Sequence, residues 1–185
     1  MFVAAVPPEE AVVHLDEFLT VRRDAAAYRW TVPEQWHITV AFAEDVPDRS
    51  LDDLDARLGR AAAKRRPVRL RLAGGGAFPH VDRARVLVAG LDTDEVGRTE
   101  LDRLATGCRA ALAKAGARVD GQRFRAHLTL ARLGHPDNVT SWVRLLDAYE
   151  GPEWELDEVA LVASYLGEGP RRRPRHEVVG TYTLG

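Results

Sequence analysis

A seven-residue stretch occurs twice in this chain, and that echo constrains the fold more than any other feature. Trp36-His37-Ile38-Thr39-Val40-Ala41-Phe42 returns as Ala126-His127-Leu128-Thr129-Leu130-Ala131-Arg132. The offset is 90 residues in a chain of 185, close to half its length. The other elements do not repeat in identity, so the chain is not a solenoid. Both copies read as strands, because polar and aliphatic residues alternate along them. A duplicated half-domain would set them on equivalent strands about a pseudo-two-fold axis.

The rest of the chain alternates strands with helices. Phe2 to Val6 is a short apolar run stopped by Pro7-Pro8, after which Ala11, Val12, Leu15, Phe18 and Leu19 mark one face of a helix. His14 lies at the polar edge of that stripe and reads as structural or surface. Asp48 and Ser50 offer caps for a helix carrying Leu51, Leu54, Leu58, Ala61 and Ala62, which Pro67 ends. Val68 to Ala73 alternates as a strand with Arg69 and Arg71 on one face. Gly74-Gly75-Gly76 then reads as a break, a turn or bulge, since it lacks the Gly-Lys-Ser/Thr ending of a phosphate loop. Arg85 to Leu91 is a strand. Val96, Leu101, Leu104, Cys108, Ala111, Leu112 and Ala115 mark a long helix ended by Gly116. Phe124 to Leu133 is β-like and Asn138 to Ala148 helical. Trp154 to Leu166 and Glu177 to Leu184 are strands around an arginine-rich loop. The strands are half polar rather than continuously apolar, which favours an antiparallel α+β arrangement over a doubly wound parallel sheet.

Composition narrows the function classes. A chain with 45% hydrophobic and 29% charged residues can bury a core and is not disordered. Its 26 basic and 28 acidic residues leave a net charge of −2, so any affinity for nucleic acid must come from a local patch. The single cysteine, Cys108, excludes an internal disulfide and multi-cysteine metal sites, and its helical neighbours predict a buried thiol. No apolar run reaches the roughly 18–20 residues of a membrane span. The opening segment lacks a basic n-region, so a cytoplasmic protein without membrane contact is expected.

Within each echo the histidine and threonine stand two residues apart, and residues i and i+2 of a strand share a face. His37 with Thr39, and His127 with Thr129, therefore project together, opposite Ile38, Val40, Leu128 and Leu130. Two polar positions on one strand are ordinary; the same pair twice at half-chain offset is not. Two facing imidazoles suit a displacement that takes one proton and gives another, since both protonation states exist near the histidine pKa of about 6.5. The threonine hydroxyls can hydrogen-bond phosphate oxygens held between them. Arg132 stands where the first copy has Phe42, and its guanidinium can clamp a phosphoryl group. Phe42 is expected in the core, with stacking on a base as its other use. No His-Glu-x-x-His, repeated carboxylate or cysteine cluster accompanies the histidines, so no metal and no cofactor are expected. A Gly-x-Ser-x-Gly nucleophile is absent.

Paired His-x-Thr-hydrophobic motifs about 90 residues apart resemble the 2H phosphoesterase superfamily, in particular its RNA 2′,3′-cyclic phosphodiesterase branch, also called 2′-5′ RNA ligase. Phe2-Val3-Ala4 with Pro7, Arg29-Trp30, Ala77-Phe78-Pro79, Arg85-Val86-Leu87 and Phe124-Arg125 extend the likeness over nearly the whole chain. The resemblance implies one bilobal α+β domain over residues 1–185, made of two interleaved lobes, with two antiparallel sheets lining a cleft and helices outside. It implies metal-independent hydrolysis of an RNA 2′,3′-cyclic phosphate end to a 2′-phosphate. His37 would be the general acid on the 3′-oxygen and His127 the base activating water; Thr39, Thr129 and Arg132 would hold the phosphate. Ala126 stands where many relatives carry proline. His176 stands where a tyrosine is expected, and with Phe42 and Arg125 it is a candidate substrate contact. The RNA end is the expected partner, and a monomer the expected state. Two other readings share the cleft: 2′-5′ ligation of RNA ends, and a non-catalytic module that binds them.

The remaining basic residues have bland alternatives. Arg171, Arg172, Arg173 and Arg175 form either an RNA-backbone rail or a solvated loop. Arg125 shares the strand face of His127 if no bulge intervenes, unlike Arg123. Lys64-Arg65-Arg66 complements the negative end of a helix dipole, and His80 and His135 fall in turns at the surface.

Overall fold

In a computed structural model that describes residues 1–119, 121, 123–170 and 173–185, the two echoes become neighbouring antiparallel strands. The elements in chain order are β1 (Phe2–Ala5), α1 (Glu9–Thr20), β2 (Arg29–Trp30), β3 (Ile38–Phe42), α2 (Leu51–Ala62), β4 (Val68–Phe78), β5 (Ala84–Asp92), α3 (Glu95–Lys114), β6 (Leu128–Asp137), α4 (Thr140–Asp147), β7 (Trp154–Leu156), β8 (Glu158–Tyr165) and β9 (Arg175–Thr183). The strands lie in the order β7-β4-β5-β6-β3-β1-β8-β9, with β2 beside β6. Every pairing is antiparallel, as the half-polar strands imply. The two sheets expected from the family likeness are two halves of one continuous sheet. Their seam is a single residue pair, Ile38↔Leu128, which are equivalent positions of the echo.

Beyond that pair β3 leaves β6 and β2 takes its place, with Thr31 N–H donating to Leu130 O at 2.8 Å. The alternation along both echoes is the expected one. Ile38, Val40, Leu128 and Leu130 are buried in the main core, while Thr39 and Thr129 are half-buried on the opposite face. Leucines of α1, α2 and α3 fill the core side: Leu15 and Leu19, Leu54 and Leu58, then Leu101, Leu104 and Leu112. The other face carries a smaller apolar group, Phe2, Ala4, Ala160 and Val162.

Local chemistry sets the element ends. The Asp94 carboxylate accepts from Gly97 N–H at 2.6 Å, capping α3, and Gly116 at φ +84° lies two residues past its end. Asp48 and Ser50 make no side-chain cap. They form a short 3₁₀ turn that leads into α2 through backbone bonds, and Asp52 and Asp53 supply first-turn negative charge. Val96 sits in the first turn of α3, and its 64% exposure takes it off the buried stripe. Lys64-Arg65-Arg66 is fixed by buried Glu100, which accepts from Arg66 N–H at 3.1 Å and lies 3.7 Å from Arg65. Cys108 is fully buried, which pushes its thiol up to about 12.

The three glycines do not end their strand. β4 runs through them to Phe78, with its register against β5 shifting between Leu72 and Gly75. Gly74 sits at φ +73°, where a side chain is strained, and a Cβ on Gly75 would lie 2.5 Å from Leu146 Cβ. The triplet is therefore a bulge that lets α4 settle directly on the strand. Gly75→Ala should destabilise the protein by about 1–3 kcal/mol through overpacking against Leu146, read from urea unfolding midpoints. A change within the scatter of surface substitutions would contradict that packing.

Candidate active site

The antiparallel pairing of Ile38 with Leu128 brings the two motifs together, with His37 and Thr39 flanking one residue of the pair and His127 and Thr129 the other. All four are half-buried on the face away from the helical core. The seam thus gathers two imidazoles and two hydroxyls, one of each from either echo.

Both histidines are oriented in the same way. His37 Nδ1 lies 2.7 Å from Gln35 O, and His127 Nδ1 lies 2.6 Å from Arg125 O. A carbonyl can only accept, so Nδ1 carries the proton in each ring and Nε2 is left for chemistry. The segments just before β3 and β6 serve as fixed holders for the rings. Gln35 is itself pinned, its Nε2 donating to Pro174 O at 2.8 Å, which ties the first motif to the segment entering β9.

Aromatic walls flank the pair. Phe2 stacks on His37 with centroids 4.6 Å apart, and the Phe78 and His127 rings meet edge to face at 4.9 Å. His176 on β9 reaches the same place, 5.6 Å from His37 and 5.2 Å from Phe2, both edge to face. It adds a third imidazole to the site. Burial lowers the pKa of all three. For His37 the Gln35 carbonyl works against burial, while His176, His127 and Arg132 add to its effect. For His127 the Arg125 carbonyl opposes burial and Arg132 assists it.

A cavity of about 650 Å³ is lined by His37, Thr39, Thr129, Arg132, His176 and Phe42, among others, and His127 lies outside that lining. Phe42 is 42% exposed there, because the register shift between Val3 and Ala4 turns both Val40 and Ala41 into the core and sends Phe42 to the opposite face, beside its partner Phe2. The expectation that it joins the core is corrected. Arg125 contributes through its carbonyl; its side chain is exposed, with the guanidinium 5.8 Å from the Phe78 ring. It precedes β6 rather than sharing its strand face. Arg173 lines the cavity, whereas Arg175 pairs with Glu168 and Glu177, both at 3.0 Å, and packs over Tyr165. Arg171 and Arg172 lie outside the described residues. His14 bonds Tyr149 at 3.0 Å, and His80 and His135 are exposed, His135 on the outer end of β6.

Sequence reasoning missed Gln35, Ser164 and the wall positions of Phe2 and Phe78, and it gave Arg29 no role. Ser164 pairs with His176 across β8 and β9 and lines the cavity. None of the described lining residues is acidic, while Arg29, Arg132 and Arg173 are all present. In a protein of net charge −2 this is a local basic cleft, suited to an anion. Among the described residues no three His, Cys, Asp or Glu side chains converge as metal ligands, and no helix is long and apolar enough to cross a membrane.

Known proteins resemble this chain in sequence and in fold. Residues 7–168 match the model of the 2′-5′ RNA ligase superfamily. An RNA 2′,3′-cyclic phosphodiesterase of Thermus thermophilus is 32% identical over 168 residues, covering 90% of this chain and 82% of that protein. A crystal structure of a Thermus thermophilus protein superposes with a TM-score of 0.78 at 31% identity, covering 99% of this chain and 96% of that one. Escherichia coli LigT, crystallised with 3′-AMP, has the same fold, with a TM-score of 0.78 at 22% identity over 99% of this chain and 96% of its own.

The depressed histidines make stability depend on pH. The folded protein holds these rings neutral and the unfolded chain protonates them near pH 6.5, so the unfolded state binds more protons just below that value. Unfolding free energy should therefore fall as pH drops from 7.5 to 5.5, and less steeply in His37→Gln. Urea titrations at both pH values check this, and a flat or opposite dependence would contradict it.

Proposed function

The chain belongs to the 2′-5′ RNA ligase superfamily, and on that premise we propose that it hydrolyses RNA 2′,3′-cyclic phosphate ends to 2′-phosphates by two-histidine acid/base catalysis. The observation that carries this reading is the matched pair of rings, each with Nδ1 engaged by the backbone carbonyl two residues before it. The name of the Thermus thermophilus relative supports the substrate class.

In this reaction the cyclic phosphate sits between the rings, with its free oxygens on the Thr39 and Thr129 hydroxyls and the Arg132 guanidinium. His127 Nε2 takes a proton from water as the water oxygen bonds to phosphorus. The bond from phosphorus to the 3′-oxygen breaks, and His37 Nε2–H supplies that oxygen with its proton. The product has a 2′-phosphate and a free 3′-hydroxyl, and one water is consumed. The rings then exchange protons with solvent and return to their starting states. Each positioned group is worth roughly 10²–10⁴-fold.

Ligation is the reverse of a related displacement in the same cleft, and dilute water favours hydrolysis. A binding module needs the arginines and hydroxyls but has no use for two freed Nε2 atoms. The arrangement of His37 and His127 about one seam supports reading the chain as a single domain of two interleaved lobes.

His37→Ala and His127→Ala should each lower kcat/KM on a cyclic-phosphate RNA by at least about 10²-fold, with unchanged circular dichroism. Activity retained by either variant would overturn the mechanism. Both rings titrate below their ordinary value in the free protein, so kcat/KM against pH should be bell-shaped with its maximum below about pH 6.5. The bound phosphate anion raises both pKa values, so the kcat profile should lie at higher pH. Coincident profiles, or a kcat/KM maximum well above pH 7, would contradict these electrostatics.

A further inference from the structure

Arg29 and Arg132 are direct partners in the pairing of β2 with β6. Side chains directly opposite on antiparallel strands stand with Cβ atoms about 4.5–5.5 Å apart, and like charges placed so repel. Both residues are exposed and line the cleft, no described lining residue is acidic, and neither has an ion pair among the described residues. Nearby Asp137 accepts from the Tyr28 hydroxyl at 3.3 Å rather than pairing with either arginine. Two arginines in direct register without a carboxylate form a site that an anion completes.

The two arginines do not serve the same anion. Arg132 lies close enough to the histidine pair to bear on both rings, whereas Arg29 bears on neither. Along β6, Leu128 marks the catalytic seam and Arg132 stands four residues on, about 13 Å at 3.3 Å per residue. From there Arg132 can reach back toward the seam, while Arg29 lines the cleft from the neighbouring strand. Tyr28 and Trp30 line the same stretch, with Trp30 held by a bond from Nε1 to Ala26 O at 3.2 Å.

Building on the proposed hydrolysis of cyclic RNA ends, we infer that Arg29 binds the phosphodiester just upstream of the terminal nucleotide and so gives the enzyme its preference for RNA chains over cyclic mononucleotides. Arg132 bridges the two anions, contacting the cyclic phosphate with one edge of its fork and lying beside the upstream phosphate on the other. The phosphate relieves the Arg29–Arg132 repulsion, which makes the subsite a reader of charge rather than of base identity.

The test compares kcat/KM on three substrates: 2′,3′-cyclic AMP, its 5′-phosphorylated form, and the diadenylate ending in a 2′,3′-cyclic phosphate. The wild type should favour the two that carry an upstream phosphate. Arg29→Ala should reduce that preference by about tenfold or more, the scale of one charged hydrogen bond, and Arg29→Lys should restore part of it. Equal losses on all three substrates, or none, would overturn the subsite while leaving the hydrolase reading intact. A diadenylate preference that survives in Arg29→Ala would also overturn it, by assigning the preference to base stacking. Failure of the wild type to turn over any of the three would overturn the hydrolase reading itself, and the subsite with it.

Discussion

One residue pair, Ile38 with Leu128, holds this molecule's chemistry in place. It joins β3 and β6 where the half-sheets meet, and equivalent residues of the two echoes form it. Antiparallel alternation then does the rest, sending the aliphatic neighbours into the helical core and the histidines and threonines to the opposite face. A register slip of one residue on either strand would turn its histidine and threonine toward the core. The buried leucines on both sides of the seam therefore specify the site as well as the fold.

The cleft is assembled against its own electrostatic interest. Three imidazoles sit among aromatic rings and arginines, without an acidic side chain in the described lining. Burial lowers the pKa of all three rings and Arg132 adds to this at His37 and His127, whereas the proposed acid/base turnover needs one ring charged. In that proposal an anion between the rings resolves the conflict by favouring protonation as it binds. The backbone carbonyls of Gln35 and Arg125 keep each ring in one tautomer, so the gained proton resides at Nε2.

The His-x-Thr echo was legible because strand alternation is a strict rule and a twofold coincidence of chemistry is informative. Helix faces were legible for the same reason, down to the burial of Cys108. The bulge at Gly74-Gly75-Gly76 was legible too, although no local signal showed that β4 continues through it. The sequence misled where tertiary contacts overrule local pattern. Phe42 reads as core, yet it ends on the cleft because a register shift against β1 turns both Val40 and Ala41 into the core and Phe42 away from it. The walls at Phe2 and Phe78, the Gln35 tie to Pro174, and the pairing of Arg29 with Arg132 are contacts between segments far apart in the chain. No local periodicity encodes them.

The central claim is that two oriented imidazoles, without a metal ion, open a cyclic phosphate at its 3′-oxygen. Its most direct test is phosphorus NMR of the products from a short RNA ending in a 2′,3′-cyclic phosphate, incubated in EDTA. A 2′-phosphomonoester as the sole product, at a rate unchanged by EDTA, is the predicted result. A 3′-phosphate product, or turnover that EDTA abolishes, would contradict the claim.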